Sequence, residues 1–450
     1  MPNTGSSGDM TRENLQNLST LPSGLWIPKG IKDVDAQFMT RLLRYRGVIS
    51  ETNEVISQVD SDVGMTAGYF SEIKKVKCQY KEKTDAPDAF VVKTWPEFEL
   101  LPKEHIFTMF LRDINSYMFP KDKFFPRPKA YLGAYETESY HCALIMEDVE
   151  TYAVHKVHEH EMTFQEVMLM IPRLVDMAVN WEGCHEGEKA TELEKIGVFL
   201  WTSDLNINTM KAIMPAGAKL LDKLLSTKES NLLGGMPWDI CFGKEGFSER
   251  LTRKVVAFYE SMKPENGATC TLSHGDLRGD NIFLYNDDWL CIDFQLMFRG
   301  PVPSDLAYLM TSASVLPDAY TGNHLETILR TFYDQFMEKT TLYKNYTYES
   351  FEHEFRVMST VLFYYYVGFG GAIVREGAFN NAQASRIELG GQGVVEADLT
   401  PEERRQRMWW RKSYANFREI FLRFNLYQYL NTLQDTEGLG DWVELPDHLK

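Results

Sequence analysis

Positive charge, long apolar runs and paired cysteines are all scarce in this sequence. Lys and Arg number 47 against 64 Asp and Glu, a formal net charge of −17 over 450 residues. A general nucleic-acid binder needs a basic face, so this balance argues against one. The longest apolar run, Val361 to Val374, has 14 residues and contains Gly368, Gly370 and Gly371. A membrane span needs ~20 apolar residues, so no span is expected and a buried core helix is. The first 23 residues lack the basic-then-apolar order of a signal peptide. The six cysteines (Cys78, Cys142, Cys184, Cys241, Cys270, Cys291) form no CxxC pair. That pattern fits reduced, mostly buried thiols in a cytoplasmic protein, where the Asn345-Tyr346-Thr347 sequon stays silent. There is no internal repeat, and no feature specifies an oligomeric state.

What is present is an ordinary globular composition. Residues are 44% hydrophobic and 25% charged, which excludes collagen, coiled coil and wholesale disorder. The length suffices for two or three domains. Residues 1–22, rich in Asn, Ser, Thr and Gly, are expected to form a loose tail. Asp33 to Arg46 reads as a helix, with Val34, Phe38, Leu42 and Leu43 on one face and Gly47 at the C-terminal cap. Strand texture follows at Val55–Val59, Tyr69–Tyr80, Phe90–Trp95, Ala130–Tyr135 and His141–Met146, with one helical stretch, Glu104 to Tyr117, between the third and fourth. Five strands with an inserted helix predict an α+β arrangement. Beyond Val149 the pattern is mostly helical. Thr163 and Glu166 make a capping box ahead of an apolar stripe, and Pro172 inside that stripe is expected to kink or split the helix. A second box, Thr400 with Glu403 and Pro401 in the first turn, predicts another helix.

The segment Ser273 to Gln295 is the one that carries chemistry. It reads Ser-His-Gly-Asp-Leu-Arg-Gly-Asp-Asn, then an apolar run Ile282–Tyr285, a turn at Asn286–Asp288, and Trp289–Phe294. Two apolar runs around such a turn predict a hairpin. The hairpin brings Asn281 at its entry near Asp293 at its far end, with Asp276 on the loop five residues upstream. Phosphoryl transfer from ATP needs this set. One carboxylate orients the attacking hydroxyl and takes its proton, while an Asn and a second carboxylate hold Mg²⁺ against the phosphates. The order His-x-Asp-x4-Asn, then Asp-Phe, matches the catalytic and metal loops of kinase-like folds.

An ATP site also needs a phosphate cover and a cation. Gly64 and Gly68 flank a short loop between two strands, where backbone N–H groups can approach phosphate. Taken alone, such a pair is usually only a turn. Lys93 lies in the strand Val91-Val92-Lys93 at the spacing of a kinase strand lysine, a position that taken alone reads better as an edge-strand surface Lys. Such a lysine pairs with a helix carboxylate. Glu104 and Asp113 both qualify, and Asp113 is preferred because it lies on the inward stripe of its helix. Glu147 to Val149 ends the last strand of this half, where a linker offers backbone groups to an adenine; a strand running into a charged turn reads the same way.

With these residues in hand, the chain resembles the aminoglycoside phosphotransferase and choline kinase superfamily, and within it the ecdysteroid kinase-like (CHK-kinase-like) group. The matching pieces run from Gly64–Gly68 through Lys93, Phe110–Tyr117, Met146–Val149, His274–Asn281 and Ile292–Gln295 to Gly300–Tyr308. Asp293-Phe294-Gln295 tilts the match away from protein kinases, which carry Asp-Phe-Gly. The resemblance implies a two-lobed, protein-kinase-like fold with Mg-ATP between the lobes: a nucleotide-binding N-lobe over 23–148 and a catalytic and substrate-binding C-lobe over 149–450. It implies Asp276 as catalytic base, Asn281 and Asp293 as Mg²⁺ ligands, Lys93 as phosphate contact and Asp305 as a brace for the catalytic loop, with His274 packing and orienting that loop.

Three departures stand out. The helix carboxylate is Asp113 rather than the longer Glu. Arg278 stands where Trp is frequent, either to contact the transferring phosphate or as a solvated loop charge. Asn180-Trp181 stand where a helix His is expected, with His185 following. The implied activity is transfer of the γ-phosphoryl group of ATP to a hydroxyl of a small molecule, a sterol-like alcohol or a cationic amino alcohol or aminosugar. The alternative is a nucleotide-binding scaffold without turnover. A protein kinase is disfavoured because no Ala-Pro-Glu segment follows Asp293. The aromatics Phe363–Tyr366, Phe369, Trp409 and Trp410 fit core packing better than an acceptor pocket.

Overall fold

The computed structural model describes residues 24–62, 71–94, 103–117, 119–156, 160–204, 206–208, 247–375 and 399–426. The expected tail, Gly64 and Gly68 lie outside the described residues. So do the side chains of Glu104, Phe363–Tyr366, Phe369, Glu403, Trp409 and Trp410. The chain divides into two compact units. The first runs to His155 and takes in Glu194–Gly197 and Ile282–Leu296; the second comprises Lys156–Leu193, Val198–Asn281 and Met297 onward.

The first unit opens with α1, Ala36–Tyr45. Asp35 caps it by accepting from the Phe38 N–H, and Gly47 ends it at φ +62°, a left-handed angle that glycine adopts without a Cβ penalty. Five antiparallel strands follow: β1 Val55–Asp62, β2 Glu72–Tyr80, β3 Ala89–Thr94, β4 Ala130–Tyr135 and β5 Cys142–Glu147, in the order β1-β2-β3-β5-β4. The helix α2, Lys103–Ser116, lies between β3 and β4 in the chain. Phe38 and Leu42 of α1 join Val76, Phe90, Val92, Tyr131 and Ile145 of the sheet in one buried cluster. Each such side chain contributes roughly 1.5–3 kcal/mol by leaving water.

The second unit is mainly helical. It contains α3 Phe164–Asn180, α4 Gly187–Glu194, α5 Phe247–Ser261, α6 Ser304–Thr311, α7 His324–Lys339, α8 Tyr348–Arg375 and α9 Pro401–Arg423. The Thr163–Glu166 capping box closes in both directions. Pro172 does not split α3, which runs unbroken across it. The missing Pro172 N–H costs one helical bond. Met170, Ile171, Leu174 and Val175 on either side are buried, and that apolar stripe outweighs it. Val361 falls inside α8, as the glycine-bearing apolar run suggests.

Short strands complete the chain: β6 Val154–His155, β7 Phe199–Leu200, β8 Thr271–Ser273, β9 Ile282–Tyr285, β10 Asp288–Cys291 and β11 Phe298–Gly300. β10, β9 and β6 form one three-stranded sheet in the first unit, and β7, β11 and β8 another in the second. β9 and β10 pair with Tyr285 opposite Asp288. The two residues between them, Asn286 and Asp287, both have positive φ, the mark of a type I′ hairpin turn. β10 stops at Cys291, short of the expected Phe294, because Asp293 turns out of the strand at φ +67°.

Candidate active site

The first unit gathers Lys93, Asp113 and Asp293. Lys93 is the penultimate residue of β3, Asp113 sits on the inward face of α2, and Asp293 follows the β9–β10 hairpin. Lys93 Nζ is 2.7 Å from Asp113 Oδ2 and 3.1 Å from Asp293 Oδ1. The Lys93 and Asp113 side chains are 4% and 1% exposed, whereas Asp293 is 23% exposed. Burial alone would push Lys93 down, but the two carboxylates outweigh it and hold the ammonium above its ordinary value. For Asp113, burial is the largest influence and raises its pKa, while Lys93 pulls it back.

Asp113 does a second job. Its Oδ1 accepts the Phe294 N–H at 3.1 Å, so one α2 carboxylate fixes both the strand lysine and the turn that carries Asp293. The Phe294 ring is anchored among Tyr117, Phe124 and Phe125. Asp293 itself turns at φ +67°, a conformation that Asp tolerates better than most non-glycine residues. Of the two helix carboxylates open in the sequence, Asp113 meets Lys93.

Glu147 ends β5. Its Oε1 accepts from the Lys129 N–H at 2.7 Å and from the Tyr152 hydroxyl at 3.2 Å. Val149 is buried and opens a 3-10 turn, its carbonyl accepting from Tyr152 and Ala153 N–H. The Val149 carbonyl is therefore engaged within the turn.

The second unit holds the His274–Asn281 loop, which leaves β8. Asp305, in the first turn of α6, accepts the His274 and Gly275 N–H groups at 2.8 and 3.0 Å. Burial pushes the Asp305 carboxyl up, against the pull of His274 and these two N–H groups. The His274 ring faces the chain, its Nδ1 accepting the Asp276 N–H at 3.2 Å. Gly275 has φ +78°. Gly279 is required for space, since a Cβ there would lie 2.1 Å from the Lys156 carbonyl oxygen.

The Asp276 carboxylate is held on both oxygens. Oδ1 accepts from Arg278 Nε at 3.0 Å and from the Tyr308 hydroxyl. Oδ2 accepts from Asn281 Nδ2 at 3.0 Å. Arg278 also pairs with Asp280. Its side chain, 23% exposed, is bound on two sides by carboxylates. Tyr308 and Asp280 join this network with no sequence motif to mark them. Tyr308 is three residues after Asp305 and so one helical turn on, the spacing that places both on one face of α6. His185 lies in the loop after α3, 3.9 Å from Glu186, and not in that helix.

In the second unit Asn281 spends its Nδ2 on Asp276, and neither of those bonds uses its Oδ1. In the first unit Asp293 keeps part of its carboxylate exposed. Among the described residues no group of three or more His, Cys, Asp and Glu gathers as a metal site.

An antiparallel N-terminal sheet followed by a mainly helical region, with a His-x-Asp loop and an Asp-Phe turn, defines the class of α+β protein-kinase-like folds. The model of the ecdysteroid kinase-like family matches residues 66–345, more than half of the chain. The chain belongs to the ecdysteroid kinase-like family. Among solved structures it is similar to choline kinase from Cryptosporidium parvum, with a TM-score of 0.50 and 9% identity over 88% of this chain and 99% of the other. It is also similar to an aminoglycoside 2'-phosphotransferase, with a TM-score of 0.44 and 12% identity over 78% and 94% of the two chains. An amicoumacin kinase in complex with AMP-PNP and Ca²⁺ aligns with a TM-score of 0.40 and 10% identity, over 77% and 86%. No curated protein matches the sequence.

Proposed function

We propose that this protein is an ATP-dependent kinase that phosphorylates a hydroxyl of a small molecule. The observation that carries this reading is the Asp276 carboxylate, oriented by Arg278, Asn281 and Tyr308 on a loop that Asp305 braces. A carboxylate so held is built to align an attacking hydroxyl and take its proton. The acceptor oxygen forms a bond to the γ-phosphorus, the bond to the bridging oxygen breaks, and ADP leaves with the electron pair. The acceptor's proton passes to Asp276.

Lys93 supplies a fixed positive charge for the phosphates, kept in place by Asp113. Asn281 and Asp293 would hold Mg²⁺, which neutralises developing charge on the phosphoryl oxygens. Gly64 and Gly68 would offer backbone N–H groups to phosphate, and the Glu147–Val149 backbone would face the adenine. Arg278, already on Asp276, carries a positive charge next to the base, where the transferring group arrives. Family membership supports a sterol-like alcohol as acceptor, and the net charge of −17 supports a cationic amino alcohol or aminosugar. Cys78, Cys142, Cys184, Cys270 and Cys291 are buried and unbridged, which supports a reducing, cytoplasmic location.

The test is incubation of the purified protein with Mg-ATP and a metabolite extract, followed by mass spectrometry for a small molecule that has gained one phosphoryl group. Asp276→Asn is the control and is expected to lower transfer at least 100-fold, in the range of a lost general base. Undiminished transfer by Asp276→Asn would remove Asp276 from this role. Stabilisation by Mg-ATP with no phosphorylated product from any extract would favour the scaffold reading.

A further inference from the structure

From α6, we infer that Tyr308 is a positioning residue that selects which oxygen of Asp276 receives the acceptor's proton. The inference rests on the kinase reading above and extends it to a residue that reading does not need. A carboxylate offers about four lone-pair sites, two on each oxygen. Oδ1 carries two donors, the Tyr308 hydroxyl and Arg278 Nε. Oδ2 carries one, Asn281 Nδ2. The remaining lone pair therefore lies on Oδ2, and that is the oxygen turned to the acceptor.

Tyr308 is suited to this role. It is 3% exposed, so its hydroxyl competes little with water. A buried hydroxyl without a partner would cost ~1–3 kcal/mol, so the bond to Asp276 satisfies the tyrosine as well as the carboxylate. Asp305 and Tyr308 leave the same helix one turn apart. The first fixes the backbone at His274 and Gly275, the second the Asp276 side chain. Arg278 alone is a weaker restraint, because it divides its guanidinium between Asp276 and Asp280. Without Tyr308, Oδ1 regains a free lone pair and can compete with Oδ2 for the proton, with only Arg278 and Asn281 left to hold the carboxylate.

The experiment is a double-mutant cycle on the full chain. Mg-ATP turnover is measured with water as acceptor for the wild type, Tyr308→Phe, Asp276→Asn and the double variant. Tyr308→Phe is expected to lower kcat about tenfold or more and to leave KM for Mg-ATP within about twofold, the signature of an interaction that matters in the transition state. In the Asp276→Asn background the same change is expected to cost nothing further, because the two residues act as one unit. An equal loss in both backgrounds, or no loss in either, overturns the inference. Full turnover by Asp276→Asn alone would instead sink the kinase reading of Asp276.

Hydrogen exchange supplies an arm that needs no turnover. In Tyr308→Phe the amides of residues 276–281 are expected to exchange about tenfold faster, with those of β1–β5 unchanged. Unchanged exchange over 276–281 overturns the clamp whatever the kinetics show.

Discussion

At the scale of single residues, Lys93 is a position where substitution should be costly. Its ammonium is buried and neutralised by Asp113 and Asp293. Removing one member of a buried pair strands the other, which costs about 3–5 kcal/mol. Lys93→Met should therefore destabilise the protein by that order, seen as a lower urea midpoint. The partially exposed Asp293 can turn to water, so the loss falls mainly on Asp113. Replacing Asp113 by Asn in the same chain removes the stranded charge, and Lys93→Met/Asp113→Asn should regain part of the midpoint. A double variant no more stable than Lys93→Met would show that the charge of Asp113 is not what matters.

The order His-x-Asp-x4-Asn then Asp-Phe marks Asp276, Asn281 and Asp293 in the sequence, whereas Lys93 and Asp113 stand out only beside that motif; the structure pairs Lys93 with Asp113 and Asp293, and Asn281 with Asp276. Tyr308 was not readable in this way. Nothing local marks its hydroxyl, and its partner is 32 residues upstream. The need for glycine at position 279 was equally hidden, since it arises from the Lys156 carbonyl, far off in the chain.

At the scale of elements, short-range chemistry sets the starts of α1 and α3 and the β9–β10 turn. Asp35 and the Thr163–Glu166 box fix helix starts through bonds three residues long. Asn286 and Asp287 form the β9–β10 turn because Asn and Asp tolerate positive φ. Pro172 shows the limit: a local breaker was outweighed by an apolar stripe whose value depends on burial. The box at α3 also joins two levels. Glu166 closes the cap and binds Lys156 Nζ at 2.9 Å, and Lys156 is itself buried at 6% exposure. Thr163→Ala should cost about 1 kcal/mol, the usual worth of a cap. Glu166→Ala should cost clearly more, because it also strands the Lys156 ammonium. Equal losses in thermal unfolding of the two variants would mean that Lys156 finds another partner.

At the scale of the whole molecule, residues 282–296 group with the first unit through the pairing of β9 with β6, a contact between segments more than 100 residues apart that no local pattern marks. The stability of the molecule also depends on a residue that no motif marks. Glu354 on α8 is fully buried and bonded to the Thr269 N–H and hydroxyl and to the Tyr346 hydroxyl, at 2.6–2.7 Å, with no cation among these partners. Thr269 also receives the Val302 N–H, so this carboxyl ties α8 to the segment that leads into β8 and the His274–Asn281 loop.

Burial pushes the Glu354 pKa up to about 7, against the pull of its three donors, from an ordinary value of 4.5. Between those two values the native chain keeps a proton that the unfolded chain has lost. The native state then binds more protons, so stability falls as pH rises from 4.5 to 7, by up to ~1.4 kcal/mol per unit. His353 acts in the opposite sense in the same region: burial lowers its pKa, so its contribution improves with rising pH. Glu150, held down to about 2 by His155 and Lys75 despite some burial, acts only below pH 4.5. The difference between wild type and Glu354→Gln isolates Glu354 from both. Urea titrations across pH 4.5–7.5 should show the wild type losing on the order of 3 kcal/mol relative to Glu354→Gln. A constant difference across that range would mean that Glu354 is ionised throughout and that its three donors outweigh its burial.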